Sequence, residues 1–247
     1  MLSEQRHRMI LKLLEEKRSV TVTELAEILD ISESTARRDI VLLDRAKKLV
    51  KVFGGAVAAD NIYLSAEPTV AQKAGVYGKE KERIAKYAAS LLKPRDFVYL
   101  DAGTTTGHML EFIQTPDVMF VTNAVAHAQR LAAGGSSVIL IGGTLKSSTE
   151  AVIGETAVLM LQEFHFSKGF FGTNGVSKEA GFTTPDAGEA LVKKTAVRQC
   201  EDAYILCDHS KFHLVSSVTF APLNAATILT DQRMEEWTDA ADLILCK

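Results

Sequence analysis

The chain holds only three cysteines in 247 residues, Cys200, Cys207 and Cys246. Their odd number and the absence of any C-x-x-C spacing exclude a disulfide framework and argue against a zinc site, so all three are expected in the core. The six histidines include no H-E-x-x-H pair, and neither a metal nor another cofactor is expected. No stretch approaches the roughly 18 consecutive apolar residues of a membrane span. Met1-Leu2-Ser3-Glu4 leads straight into a charged segment unlike a signal peptide, which sets the expectation of a cytoplasmic protein without a membrane partner. Also missing are G-x-x-x-x-G-K-[ST] and G-x-G-x-x-G, so nucleotide binding is disfavoured. Positive charge is not in excess either, the formal net charge being −3.

What is present suits a small domain followed by a medium one: 47% of residues are hydrophobic and 24% charged. Charge is segregated along the chain, with residues 1–58 carrying +2 and the remainder −5. Any affinity of the first part for nucleic acid must come from a local patch, and from several reading domains acting together.

Residues 20–39 read as a helix, a tight turn and a second helix. Thr21-Val22-Thr23-Glu24 is a T-x-x-E capping box, after which Val22, Leu25, Ala26 and Leu29 share one face. Asp30-Ile31 makes the turn and Ser32 is a good N-cap. The second helix buries Ala36, Ile40 and Leu43 and turns Ser34, Thr35, Arg37 and Arg38 outward. Arginine grips guanine or phosphate in bidentate fashion, and short hydroxyls near a helix start accept close approach of a phosphate. Thr21, Thr23 and Ser32 at the two helix starts join them as candidate DNA contacts. A helical hairpin with a merely solvated polar face is the alternative, and the flanks weigh against it. Upstream, residues 5–17 form one more amphipathic helix with Met9, Ile10, Leu13 and Leu14 inward. Downstream, residues 49–57 give two short apolar strands around Gly54-Gly55. Lys47, Lys48 and Lys51 add charge where such a wing meets phosphates. Three helices and a hairpin make a winged helix-turn-helix.

This segment resembles the DNA-binding domain of the DeoR family of bacterial sugar-metabolism repressors, in which an early Arg precedes an S-x-S-T-x-R-R-D-hydrophobic run. Here these are Arg6 and Ser32-Glu33-Ser34-Thr35-Ala36-Arg37-Arg38-Asp39-Ile40. Phe53 departs from the pattern, many members having His before the Gly pair, so no wing contact is carried onto it.

The expected organisation is a DNA-binding domain over residues 1–58, a linker over 59–75 containing Glu67-Pro68, and an effector domain over 76–247. In the last, helix-like stretches (79–92, 105–113, 124–133, 189–200) alternate with continuous β-rich runs (97–100, 118–121, 138–141, 170–171, 203–206, 227–229, 243–245). Such runs suit strands buried on both faces, hence an α/β fold around a mostly parallel sheet, with its ligand site at the carboxyl ends of the strands. There the chain is small and polar. Asp101-Ala102-Gly103-Thr104-Thr105-Thr106-Gly107 follows the first strand, Thr122-Asn123 the second, Gly142-Gly143-Thr144 the third, with a further Gly172-Thr173-Asn174-Gly175. Backbone N–H groups and hydroxyls of this kind suit a phosphate on a small molecule. Strand-to-helix turns recruit Gly and Thr on their own account, but four in succession are harder to dismiss. Asp208-His209-Ser210-Lys211-Phe212 adds a charged pair, with Lys193 and Lys194 as possible phosphate partners.

These motifs also resemble the DeoR effector domain, which implies a fold related to ribose-5-phosphate isomerase and the binding of phosphorylated sugars. YLDAGTTT, VTN, LIGG, FFGTNGV, AGFTTPD, EA-x-x-K and DHSKF are most similar to the fructose-operon repressor branch, implying fructose 1-phosphate as effector; tagatose 6-phosphate is the alternative. The resemblance implies that Asp101, Gly103, Thr104, Thr105, Asn123, Gly143, Asn174, Lys193 and Lys211 line the pocket, joined by Thr106, Thr122, Gly142, Thr173 and Asp208. A sugar-phosphate isomerase with an added domain is the rival of another class. It needs a positioned carboxylate to move a proton, and the segment where the isomerases carry acids has Asn174, which is no base near neutral pH. A third possibility is an architectural DNA-binding protein whose large domain only assembles copies. The expectation is a repressor, not an enzyme, partnered by operator DNA, a small phosphorylated sugar and further copies of itself as a dimer or tetramer.

Overall fold

The computed structural model describes residues 3–17, 19–46, 48–52, 55–58, 63–64, 69–70, 73, 75–237 and 239–247. The chain divides into two compact units, Met1–Leu64 and Ser65–Lys247.

In the first unit, α1 (Ser3–Lys17), α2 (Val22–Leu29) and α3 (Glu33–Arg45) pack on a three-stranded antiparallel sheet of β1 (Ser19–Thr21), β3 (Gly55–Ala58) and β2 (Leu49–Val52). Ile10, Leu14, Leu25, Ile40 and Leu49 are fully buried in one core. Met9 was expected inward and is exposed: on α1 the core stripe passes through Ile10 and Leu14, with Leu13 only at its margin. The capping box forms as read, Thr21 accepting from the Glu24 N–H while Glu24 Oε2 accepts from the Thr21 N–H at 2.9 Å. β1 is an addition that the apolar pattern did not announce. It dictates one glycine, because a Cβ on Gly55 would sit 2.1 Å from the Val20 carbonyl oxygen across the β1–β3 pair. Lys47, Phe53 and Gly54 lie outside the described residues.

A buried clamp ties α1 to α3. Arg6 donates to both Asp39 oxygens (Nε–Oδ2 2.7 Å, Nη2–Oδ1 3.0 Å) and His7 Nε2 lies 3.0 Å from Oδ1, with the Asp39 side chain only 3% exposed. Burial opposes ionisation of Asp39, yet the hydrogen bonds from Arg6 and His7 outweigh it and the carboxyl titrates below its ordinary range. A carboxyl with a depressed folded pKa stabilises above its unfolded value of about 3.9 and loses that contribution as pH falls through the folded value. Acid denaturation followed by circular dichroism is therefore expected to begin at higher pH in Arg6→Ala than in wild type; coincident acid limbs would show the clamp contributes nothing.

The second unit is a seven-stranded sheet, parallel throughout. Its order is β15 (Leu243–Leu245), β14 (Thr227–Thr230), β12 (Cys200–Leu206), β9 (Phe166–Gly172), β4 (Phe97–Leu100), β5 (Met119–Thr122) and β6 (Ser137–Leu140). Side chains alternate between two cores. Val98, Leu100, Phe120, Phe170 and Leu229 pack with α4 (Gly78–Ser90) and α5 (Thr104–Met109) on one face, and Tyr99, Val121, Phe171, Ile205 and Ile228 with α7 (Glu155–Gln162) and α8 (Ala187–Arg198) on the other. Apolar neighbours in sequence thus go to opposite faces, which is why these strands read as unbroken runs. A hairpin of β7 (Thr144–Lys146) and β8 (Ala151–Ile153), the helix α7, and a small antiparallel sheet of β10 (Gly175–Ser177), β11 (Gly181–Thr184) and β13 (Val218–Ala221) lay outside the sequence reading. Their strands run only three or four residues, too short for a period to show. The chain turns in opposite directions from β4: towards β5 and β6 on one side, towards β9 and β12 on the other. A crevice opens at the carboxyl ends of strands at such a reversal.

Candidate functional site

The first candidate surface is the leading edge of α3. Asp30 closes α2 in the left-handed conformation (φ 51°), and the Ile31 N–H returns to Ala26 O at 3.0 Å, so the two helices join through a turn without glycine. Ser32 caps α3. Ser32, Ser34, Arg37 and Arg38 are exposed, whereas Thr35 is half-buried and shares a hydrogen bond with Ser32 Oγ at 2.9 Å. Several of these groups are engaged locally. Thr21 is spent on the capping box, and Thr23 donates to Glu33 Oε1 (3.1 Å). Arg37 donates to Glu33 Oε2 (2.9 Å), holding the Glu33 carboxyl below its ordinary range. Among the described residues Arg38 has no hydrogen-bond or ion-pair partner, so its guanidinium is the one that reaches a ligand at no cost in lost contacts. On the wing, Lys48 and Lys51 are exposed.

The second surface is a pocket at the chain reversal between β4 and β9. Ala102, Gly103, Thr104 and Thr105 come from the loop after β4, Gly172, Thr173 and Asn174 from the end of β9, Glu189 and Lys193 from α8, and Asp208 and Lys211 from the loop after β12. Lys81 of α4, Thr149 of the β7–β8 turn, and Val70 and Lys73 complete the wall. At its base Lys193 donates to Asp101 Oδ2 and to Gly172 O (3.1 Å), while the Gly172 N–H also donates to Asp101 Oδ2 (3.1 Å). This buried pair bolts α8 to the ends of β4 and β9.

Four lysines line the pocket against the carboxylates of Glu189 and Asp208, with Asp101 behind Lys193. Glu189 accepts from Lys146 Nζ (3.2 Å) and from the Thr149 hydroxyl. Asp208 is fully enclosed and accepts from the Ser210 N–H at 3.0 Å and the Ser210 hydroxyl. Burial would raise its pKa, but Lys211, Ser210, His209 and Lys81 together hold it below the usual range. The result is a small concave site with a cationic excess and carboxylate, amide and hydroxyl groups facing inward, suited to a compact polyhydroxy anion.

Residues 6–61 match a model described as the DeoR-like helix-turn-helix domain, and residues 77–232 match one described as the DeoR C terminal sensor domain. The chain belongs to the DeoR family. Among its relatives, the Uncharacterized HTH-type transcriptional regulator FruR of Bacillus subtilis is 43% identical over 98% of this chain and 94% of its own length. The Lactose phosphotransferase system repressor of Streptococcus mutans is 32% identical over 97% and 99%, and the HTH-type transcriptional repressor GlcR of B. subtilis 30% over 95% and 90%. These relatives are named as transcriptional regulators and repressors, not as enzymes. A ribose-5-phosphate isomerase bound to phospho-erythronic acid aligns with 12% identity, a TM-score of 0.42 and 55% and 54% of the two chains, too distant to bear on function.

In this DeoR-family chain the structure gathers Gly103, Thr104, Thr105, Thr173, Asn174, Lys193, Asp208 and Lys211 around the pocket, with Asp101 directly beneath. Thr106, Thr122, Asn123, Gly142 and Gly143 are not on its wall, and all but Gly142 have a visible backbone task. The Thr106 hydroxyl donates to Asp101 O (2.7 Å) and Gly103 O (2.9 Å), and Thr122 Oγ1 accepts from the Ala124 N–H (3.0 Å). Asn123 stitches the loop after β4 to β8, accepting from the Ala102 N–H (2.9 Å) and donating to Val152 O (3.3 Å). Gly143 has φ 151°, and a Cβ there would meet Ile153 O at 2.5 Å. Nothing in the structure requires glycine at Gly142, where a Cβ would meet open space. Lys194 is exposed. Val70 and Lys73 belong to the second unit and line its pocket, although the sequence reading placed them in a linker.

Sequence reasoning missed Lys81, Thr149 and Glu189. Glu189 stood in plain view within EA-x-x-K, whereas Lys81 looked like one more charge on a helix rich in them. Yet Lys81 is 4% exposed, and burial lowers its pKa to about 8, with Asp208 opposing that shift and Lys211 and Lys73 adding to it. An anion bound here restores the ammonium. Binding of a sugar phosphate is then expected to take up a proton above pH 8, with affinity falling up to tenfold per pH unit from there. Titration calorimetry in buffers of different ionisation enthalpy checks this; equal heats in all buffers at pH 9 would refute it.

No helix among the described residues is long and apolar enough to cross a membrane, and no cluster of metal-ligating side chains occurs among them.

Proposed function

We propose that this DeoR-family protein represses a sugar-utilisation operon in the cytoplasm and releases it when a phosphorylated sugar, fructose 1-phosphate first among candidates, fills the lysine-lined pocket. The pocket itself carries the reading: a cationic excess with Glu189, Asp208 and Asn174 beside it matches a phosphate attached to a polyol. A relative named Lactose phosphotransferase system repressor supports a sugar signal, and tagatose 6-phosphate is the alternative ligand to compare. DNA is met by Ser32, Ser34, Thr35, Arg37 and Arg38 at the start of α3, the second helix of the motif, with Thr21, Thr23 and Lys51 touching phosphates. The sugar phosphate is met by Thr104, Thr105, Lys193, Lys211 and their neighbours. One recognition helix covers few base pairs, so repression takes a dimer or tetramer, with half-sites one helical turn, ~34–36 Å, or a multiple apart.

Thermal-shift screening against a panel of sugar phosphates tests this. The true effector at 100 times its Kd stabilises the fold by about 2.7 kcal/mol. Thr104→Ala is expected to abolish most of that shift for the same ligand while operator affinity without ligand stays within twofold. A panel without any shift would leave the large unit as an assembly module only.

A further inference from the structure

Lys81 holds an unusual position for a charged side chain. It is buried, it faces the pocket, and the one hydrogen bond of its ammonium among the described residues runs to the backbone carbonyl of Lys73, 2.5 Å away. An ammonium carries three donors. Two of them are therefore open, at the edge of a cavity built for an anion. The carbonyl it does hold belongs to the stretch 69–77, close to the start of the second unit at Ser65. That stretch is part of the pocket wall, through Val70 and Lys73, and the Val70 N–H is tied to Ser148 O (3.3 Å) beside Thr149.

We propose that Lys81 is the coupling residue of the sensor: one ammonium grips both the bound anion and the Lys73 carbonyl, so that filling the pocket fastens the segment leading in from the DNA-binding unit. The inference rests on the sugar-phosphate reading of the pocket and adds the route by which occupancy is passed on.

A second contact converges on the same stretch. Tyr77, which ends it, is held in the left-handed conformation (φ 54°), accepts the Lys81 N–H at its carbonyl (3.0 Å) and meets the His209 ring edge-on at 4.9 Å. His209 is fixed by Asp231 through its N–H and through Nδ1, each at 2.8 Å, with Arg83 Nη2 3.9 Å from the same carboxylate. Its neighbours Asp208 and Lys211 line the pocket. The charged groups around the Lys81 ammonium are thus Lys73 from the leading stretch, and Asp208 and Lys211 from the loop after β12. Asp208 alone does not neutralise the buried Lys81 and the half-buried Lys211. An incoming phosphate does, and it strengthens whatever else the Lys81 ammonium holds.

The test uses the full-length protein with fructose 1-phosphate, and inorganic phosphate as a second probe. In wild type, saturating sugar phosphate is expected to slow amide hydrogen exchange at Lys73, Val76 and Lys81 at least about tenfold and to change operator Kd by about 5–150-fold. Lys81→Met should still bind fructose 1-phosphate, about tenfold more weakly, while the change in operator Kd collapses to within about twofold of none. Lys81→Arg, which keeps the cation, should retain the response. The proposal is overturned if wild type binds the sugar with exchange over 69–77 unchanged, or if Lys81→Met keeps the full operator response. Should the methionine variant fail to fold, the wild-type exchange pattern and the arginine variant decide alone. Failure of wild type to bind either probe, or any sugar phosphate, is a different result, and removes the reading of the pocket itself.

Discussion

Replacing Lys193 by methionine is expected to cost the second unit about 3–5 kcal/mol, the loss incurred when one partner of a buried ion pair is removed. The side chains of Asp101 and Lys193 are 1% and 5% exposed. In Lys193→Met the Asp101 carboxylate keeps the Gly172 N–H but loses its counter-charge. Water cannot reach it, and the ends of β4 and β9 lose the group that holds them together. The double variant Asp101→Asn, Lys193→Met should recover most of this stability, since no bare charge remains buried. It should not recover the response to ligand, because the pocket has still lost a cation. Urea denaturation of wild type and the two variants settles the point: Lys193→Met within about 1 kcal/mol of wild type would mean that solvent reaches the pair.

The other large effect is expected at the DNA surface. Arg38→Ala should weaken operator binding by about 1–3 kcal/mol if the guanidinium reads a base, with relaxed preference at one position. If it grips a phosphate instead, binding falls evenly across sequences and the salt slope drops by about one. Thermal stability should not move in either case, Arg38 being exposed and unpaired among the described residues. Arg37→Ala is expected to do less, because Arg37 is already engaged by Glu33 in an exposed i,i+4 pair of small energy. Gel-shift titrations at several salt concentrations distinguish these outcomes. Equal binding by Arg38→Ala and wild type would remove α3 as the reader.

Where sequence reasoning worked, local chemistry had a local consequence. The T-x-x-E box at Thr21 and Glu24 closes within one turn, so spacing alone reveals it. Residues 97–100 read as a strand buried on both sides because each apolar side chain finds its own core. The DeoR-like R…S-x-S-T-x-R-R-D pattern is explained only by the fold. Arg6 and Asp39 stand 33 positions apart and meet as a clamp between α1 and α3, leaving the arginines that follow Ala36 to face outward. Gly and Thr at the strand ends were legible as a group, but not their division of labour. Thr104 and Thr105 line the pocket while Thr106, the next residue, turns its hydroxyl back to Asp101 O and Gly103 O. One position along a helix start rotates a side chain by about 100°, enough to separate a ligand contact from a backbone pin.

The amino-acid sequence by itself determined the helix pair with its N-caps and the seven hydrophobic runs that become the parallel sheet, because each rests on patterns spanning a few neighbours. Only the tertiary structure decided what the pocket is made of. Lys81, Thr149 and the α8 pair Glu189 and Lys193 come from three separate elements and become neighbours through the strand order that reverses at β4. Burial then changes the chemistry of Lys81: an ammonium that looks ordinary in the sequence has its pKa lowered to about 8 once the fold withdraws it from water.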